Sequence, residues 1–360
     1  MTTAFQSVIK NIKQITSKFS KTLTLHVGLL ITTLERKNYS AMARSSNLSY
    51  QKVFINSENA NKVVAETQVF LVDLIKKCAG LGKKGALLVD FTMIEKQYSE
   101  KIKDVTYDFN GVGKRVSKGF SAGFICWSNG IVNIPFDFTL WLRKKDAQEL
   151  YKNKTELAKE LISHALELGI IFTEVKLDGA FANINMIEFL EKKEIGYSMR
   201  IAKNRKIESA GYSGQICNHP DLQLKKNEKY KTVKATYRGF ECYITTEKRN
   251  GNKGKKEVVF IISNVEQSPK EHVNSYAKRW PIEKCFRTSK QSLGLAHCQS
   301  TNSFKQQAHV FLVMASYSIL QVMKFAKKKR SVEEVLNCIR RQKQLNFLRE
   351  YVDWHETINH

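Results

Sequence analysis

Ala86-Leu87-Leu88-Val89-Asp90-Phe91-Thr92 is the stretch on which the reading of this chain turns. Four apolar residues run straight into an acid, just after Gly85. A run this short and this apolar predicts a buried strand. Its terminal carboxylate needs a partner, because a lone buried charge is costly. Residues 120–127 and 131–142 read as two more strands joined across Ser128-Asn129-Gly130, and Asn-Gly is a strong hairpin signal. Residues 155–168 form an amphipathic helix, with Leu157, Leu161, Ile162, Ala165 and Leu168 on one side. A strand at 172–177, a helix at 183–193 and a strand at 197–201 follow. Asp178 ends the first of these strands and precedes Gly179-Ala180.

Three antiparallel strands followed by alternating helices and strands match a ribonuclease-H-like α/β layout, a mixed sheet flanked by helices. The core is expected in two parts, residues 85–202 and 257–326. Between them, residues 203–256 read as a β-rich insertion or extended arm, with short β-like runs at 232–237 and 240–246. It carries fourteen Lys or Arg against five Asp or Glu, so its lysines either follow a DNA backbone or coat a solvated hairpin. Residues 1–84 read as a helical N-terminal region. Within it, 39–44 and 45–54 suggest helix, polar turn, helix, and 59–78 has helical spacing. A small DNA-end-binding module and a helical cap on the core both remain open there. Residues 327–360 form a basic helical region, opened by Lys327-Lys328-Lys329-Arg330, a solvated linker or a phosphate clamp.

The 360 residues carry a formal charge of +25. Such an excess calls for an anionic partner, and nucleic acid is the common one. No aromatic-basic platform of the kind single-stranded RNA binders use is visible. Seven cysteines without a C-x-x-C pair fit a reducing cytoplasm rather than a disulfide framework. Cys217 and His219 alone do not make a zinc site. Lys10, Lys13 and Lys18 stand among apolar residues without a secretory pattern. The apolar stretch 308–323 is broken by His309, Ser316, Ser318 and Gln321 and reads as a buried core helix, so no membrane is expected.

Asp90 and Asp178 at the ends of neighbouring strands would repel each other, and their pKa values would rise unless a cation offset the charge. Oxygen ligands suit the hard ions Mg²⁺ and Mn²⁺. Asp178 could instead cap the next helix. Glu283 adds a third acid. It lies in Tyr276-Ala277-Lys278-Arg279-Trp280-Pro281-Ile282-Glu283-Lys284-Cys285-Phe286-Arg287-Thr288-Ser289-Lys290. At about 100° per residue, Tyr276, Arg279, Glu283 and Lys290 fall within roughly 60° of one another on a helix. Trp280, Ile282 and Phe286 are interleaved with them. Pro281 removes a backbone donor and kinks the helix or starts a new one.

The Tyr-x2-Arg-x3-Glu-x6-Lys spacing resembles the signature of bacterial insertion-sequence DDE transposases of the insertion sequence 4 type. Here it is complete at Tyr276, Arg279, Glu283 and Lys290, with Leu293-Gly294-Leu295 after it. Leu88-Val89-Asp90-Phe91-Thr92 and Leu177-Asp178-Gly179-Ala180-Phe181 resemble the two aspartate strands of that family, and the likeness covers about 86–300. The resemblance implies a ribonuclease-H-like core with a β insertion between the second Asp and the Glu, and 104 residues separate Asp178 from Glu283. It implies two Mg²⁺ ions, with Mn²⁺ able to substitute, held by Asp90, Asp178 and Glu283. It implies cleavage of double-stranded DNA at transposon ends and strand transfer to target DNA, with Tyr276, Arg279 and Lys290 on the phosphates. A homodimer follows from the need to pair two ends. Some relatives stack a flipped base on a Trp of the insertion. This insertion has none, and Trp280 is expected to pack the helix that carries Glu283. The alternatives are a catalytically silent DNA-binding regulator and a structure-specific nuclease that cuts without joining.

Overall fold

Strand β1 (Ala86–Glu95) runs beyond the quoted stretch, and its length is set by a neighbour. In this computed structural model, which describes residues 20–81, 84–111, 113–250, 256–343 and 346, β3 (Arg115–Ser128) pairs with β1 along its whole length. The antiparallel register runs from Ala86 opposite Ser128 to Glu95 opposite Gly119. Asp90 therefore stands inside a strand rather than at its end. The short strand β2 (Thr106–Asn110), which no apolar run announces, pairs with the first part of β3, and β4 (Asn133–Trp141) pairs with the rest. The expected hairpin between β3 and β4 forms, but its loop spans residues 129–132 rather than the two-residue turn that Asn-Gly signals, with Ser128 opposite Asn133. Asn129 Oδ1 accepts from the N–H groups of Ile131 and Val132, both at 3.0 Å, and Gly130 takes φ +84°.

Helix α4 (Lys154–Glu167) starts on a capping box made by Asn153 and Glu156, and α5 (Ile184–Lys192) starts on Asn183. They link β4 to β5 (Glu174–Leu177) and β5 to β6 (Gly196–Ile201). β5 lies parallel to β1 and β6 parallel to β5. The sheet then continues with β11 (Lys256–Ser263), antiparallel to β6, and with β10 (Phe240–Asn250), β9 (Tyr230–Tyr237), β7 (Lys206–Ser209) and β8 (Tyr212–Gln215). Strands between residues 203 and 250 thus prolong one sheet, in the order β2-β3-β1-β5-β6-β11-β10-β9-β7-β8 with β4 beside β3. A large mixed sheet flanked by helices results, compatible with the ribonuclease-H-like layout.

The N-terminal helices α1 (Lys21–Thr32) and α3 (Ser57–Cys78) share the core with α8 (Ser303–Ala326). Between them, α2 (Tyr39–Ser46) ends at Asn47 in the left-handed region, φ +54°. The expected helix through residue 54 is a single turn, Tyr50–Val53, with no side-chain cap. α8 is long and apolar enough to cross a membrane by composition, but 78% of its apolar window is buried inside the fold. Its polar groups are satisfied there: His309 Nε2 meets the Gly294 carbonyl at 2.8 Å. A helix over 332–343 buries Val332, Val335 and Leu336 against the same core. Lys10, Lys13, Lys18 and residues 347–360 lie outside the described residues.

Candidate active site

Val89 of β1 stands opposite Leu177 of β5, so the next positions along these parallel strands are Asp90 and Asp178. The register alone brings the two acids side by side where β5 ends, which is where open α/β sheets place their sites. Asp178 is not a helix cap. The single turn Gly179–Phe181 follows it without a side-chain cap bond, and Asn183 caps α5 by accepting from the Met186 N–H at 3.1 Å.

The third acid arrives on two helices rather than one. α6 (Pro269–Ala277) and α7 (Pro281–Gln291) meet at residues 278–280. Pro281 opens α7 where its missing N–H has no partner to lose. Bonds to the third residue back carry the chain across the join: Arg279 N–H to Tyr276 O at 2.9 Å, and Trp280 N–H to Ala277 O at 3.2 Å. These tighten the turn instead of opening it, so Arg279 and Glu283 still reach a common point. Ile282, Cys285 and Phe286 bury the inner face of α7, with the Phe286 ring 5.4 Å from Phe124 of β3.

Arg279 is the centre of the constellation. It is 8% exposed, donates to Asp90 Oδ2 at 3.0 Å, and with its other terminal nitrogen donates to Glu283. Its guanidinium lies 5.9 Å from the centre of the Tyr276 ring, whose hydroxyl is buried without a hydrogen-bond partner among the described residues. Lys290 Nζ donates to Thr92 Oγ1 at 2.7 Å. Thr92 follows Asp90 by two residues and so shares its side of the strand. The structure thus gathers Asp90, Arg279, Glu283 and Tyr276, sets Asp178 in register beside them, and seats Lys290 along β1.

The electrostatics follow from this packing. Burial pushes the Asp90 carboxyl up to about 6; Arg279 opposes the rise, while Asp178 and Glu283 add to it. Burial works against the charge on Arg279, yet Tyr276, Asp90, Glu283 and Asp178 outweigh it and hold the guanidinium more firmly protonated. Burial raises the Tyr276 phenol and lowers the Lys290 ammonium. Three carboxylates offer the hard oxygen donors that Mg²⁺ and Mn²⁺ prefer. As they stand, no three His, Cys, Asp or Glu side chains among the described residues are grouped to hold a metal ion. A guanidinium occupies the place between Asp90 and Glu283.

Two grooves meet at this point. One runs past Asp90, Thr92, Phe109 and Lys290, the other past Asp178, Arg200, Glu247, Arg249 and Tyr276, and Trp280, Glu283 and Lys284 border both. Trp280 therefore corrects its expected role. It is 55% exposed and does not pack α7, because it sits in the join before Pro281 while the next turn supplies the buried residues. Arg200, Glu247 and Arg249 were invisible to sequence reasoning, since only the pairing of β6 with β11 and of β11 with β10 brings them to the site. Cys217 and His219 are engaged elsewhere: His219 Nδ1 accepts from the Asp221 N–H at 3.2 Å.

Residues 152–319 match the family described as a transposase DDE domain. The matched segment holds Asp178, Tyr276, Arg279, Glu283 and Lys290, and begins after Asp90. The similarity supports a DDE transposase in general terms, an enzyme acting on DNA. No curated protein matches the chain.

Proposed function

We propose that this chain is a DDE transposase of the insertion sequence 4 type, which cleaves the ends of its element and joins them to target DNA. The observation that carries the reading is the placement of Asp90 and Asp178 in adjacent register, with Glu283 drawn to Asp90 through Arg279. Asp90, Asp178 and Glu283 would hold two Mg²⁺ ions, or Mn²⁺ in their place, which when bound activate the attacking oxygen and stabilise the leaving one. The chain's own groups orient the substrate. Lys290, anchored by Thr92, places a positive charge along the groove beside Asp90. Arg279 offers a planar fork that fits a phosphate, and the Tyr276 hydroxyl, in the same groove, offers one more donor. Water, or a DNA 3′-hydroxyl, attacks the phosphorus in line, and the opposite P–O bond breaks.

The excess of 25 positive charges supplies the sequence-independent grip on double-stranded DNA. A DNA-end contact by the N-terminal helices, a homodimer that pairs two ends, and a cytoplasmic location complete the proposal. Its test is incubation with Mg²⁺ or Mn²⁺ and DNA from the flanks of its own gene. Defined nicks, followed by joining to a target plasmid, are expected. Asp178→Asn and Glu283→Gln should each abolish cleavage while DNA binding persists. Normal cleavage by either variant would overturn the site, and nicking without joining would reduce the protein to a nuclease.

A further inference from the structure

We infer that Arg279 is an internal cation that closes the carboxylate cluster to metal ions in the DNA-free protein, and that a DNA backbone phosphate draws it away. The inference rests on the reading of Asp90, Asp178 and Glu283 as a divalent-metal site. One guanidinium, 8% exposed, donates to Asp90 Oδ2 at 3.0 Å and to Glu283 as well. One oxygen of Asp90 and one of Glu283 are thereby taken, and among the described residues no three His, Cys, Asp or Glu side chains are grouped to hold a metal. Arg279 sits in the join between α6 and α7, and because breaking a buried ion pair is costly, only another anion that takes over the guanidinium can open the clamp. It also borders the groove that Arg200, Arg249, Lys278 and Lys284 line together with Asp178, Glu247 and Glu283, an open surface from which an anionic backbone can reach the guanidinium. A phosphate offers the guanidinium the same paired acceptors as the carboxylates do. Once Arg279 turns to a phosphate, the acids face one another uncompensated and their demand for a cation rises. Metal and DNA binding then reinforce each other, by equal factors in both directions. A protein built this way does not hold a loaded cutting site until DNA is in place.

The test reads Mn²⁺ binding by the full chain, from the electron paramagnetic resonance signal of the free ion, and needs no turnover. The quantity of interest is the part abolished by Glu283→Gln. Without DNA, Arg279→Gln should bind Mn²⁺ about tenfold more tightly than the wild type, within the usual range of such couplings. Arg279→Lys, which keeps the charge but cannot bridge both acids, should fall between; it decides the matter if thermal melting shows Arg279→Gln to be unfolded. Random-sequence duplex DNA should raise the affinity of the wild type and leave that of Arg279→Gln unchanged. Glu283-dependent binding that is no tighter in either variant overturns the clamp and leaves the metal site standing. An equal rise with DNA in wild type and variant overturns release by phosphate. Absence of Glu283-dependent Mn²⁺ binding in every variant, with or without DNA, removes the metal site and the clamp together.

Discussion

Lys290 Nζ lies 2.7 Å from Thr92 Oγ1 and ties the last turn of α7 to the strand that carries Asp90. Burial lowers the pKa of this ammonium, which is partly withdrawn from water, and Lys290 lines the groove beside Asp90. Lys290→Ala should weaken DNA binding and reduce the slope of log affinity against log salt by about one. Fluorescence anisotropy at a series of KCl concentrations measures the slope. An unchanged slope would remove Lys290 from the phosphate contacts.

Asp90 should leave a signature in the dependence of stability on pH. Its folded carboxyl titrates at about 6, above the ordinary value of 3.8, chiefly because it is buried. Between these values the folded chain binds more protons than the unfolded one, so stability falls as pH rises from about 4 to about 6. Asp90→Asn removes that titration. The wild type should lose stability relative to the variant across this window, by at most about 1.4 kcal/mol per pH unit, and the difference should level off above it. Urea unfolding of both proteins from pH 4 to pH 7 measures it. A flat difference would show that Asp90 titrates alike in the folded and unfolded chains.

Lys176 is 1% exposed in the middle of the sheet. It is held by Glu174 at 2.6 Å and by Ser275 of α6 at 2.7 Å. Removing one member of a buried ion pair strands the other, whereas removing both charges is often tolerated. Lys176→Met should cost about 3 kcal/mol of unfolding free energy, and the further change Glu174→Gln should recover most of it. Chemical denaturation of single and double variants separates the outcomes. A double variant as unstable as the single one would trace the loss to packing.

Gly119 has strands on both sides, opposite Glu95 of β1 and Thr106 of β2. A Cβ there would come within 2.1 Å of the Ile94 carbonyl oxygen, a backbone atom that cannot turn aside. Gly119→Ala should destabilise the protein by about 2 kcal/mol through displacement of β1 from β3. A melting temperature equal to that of the wild type would show that the strands part there without cost.

Much of the site was legible in the sequence because its chemistry is local. An acid at the edge of an apolar run, a small-residue turn after a second acid, and a four-residue spacing across one helical segment are all short-range patterns. The β3–β4 hairpin was readable for the same reason, through its Asn-Gly pair. Residues 232–237 and 240–246 announced strands, but not their place in the main sheet, since pairing between distant strands leaves no periodic trace. β2 escaped notice because exposed Phe109 and Tyr107 alternate with polar residues and form no apolar run. Trp280 was misjudged because helical spacing assumes a continuous helix, and the chain changes its hydrogen-bonding pattern just there.

Most of the strand and helix order, though not β2, β7 or β8, was readable from the residues alone, as were the three acids as candidates and the strongly basic charge of the chain. How the acids meet is set by packing. The β1–β5 register sets Asp90 beside Asp178, and the join between α6 and α7 carries Arg279 inward to hold Asp90 and Glu283 together. A run of residues specifies which groups are present. Their mutual distances depend on strand pairing and on charge balance in a buried place, and both arise only when remote segments pack.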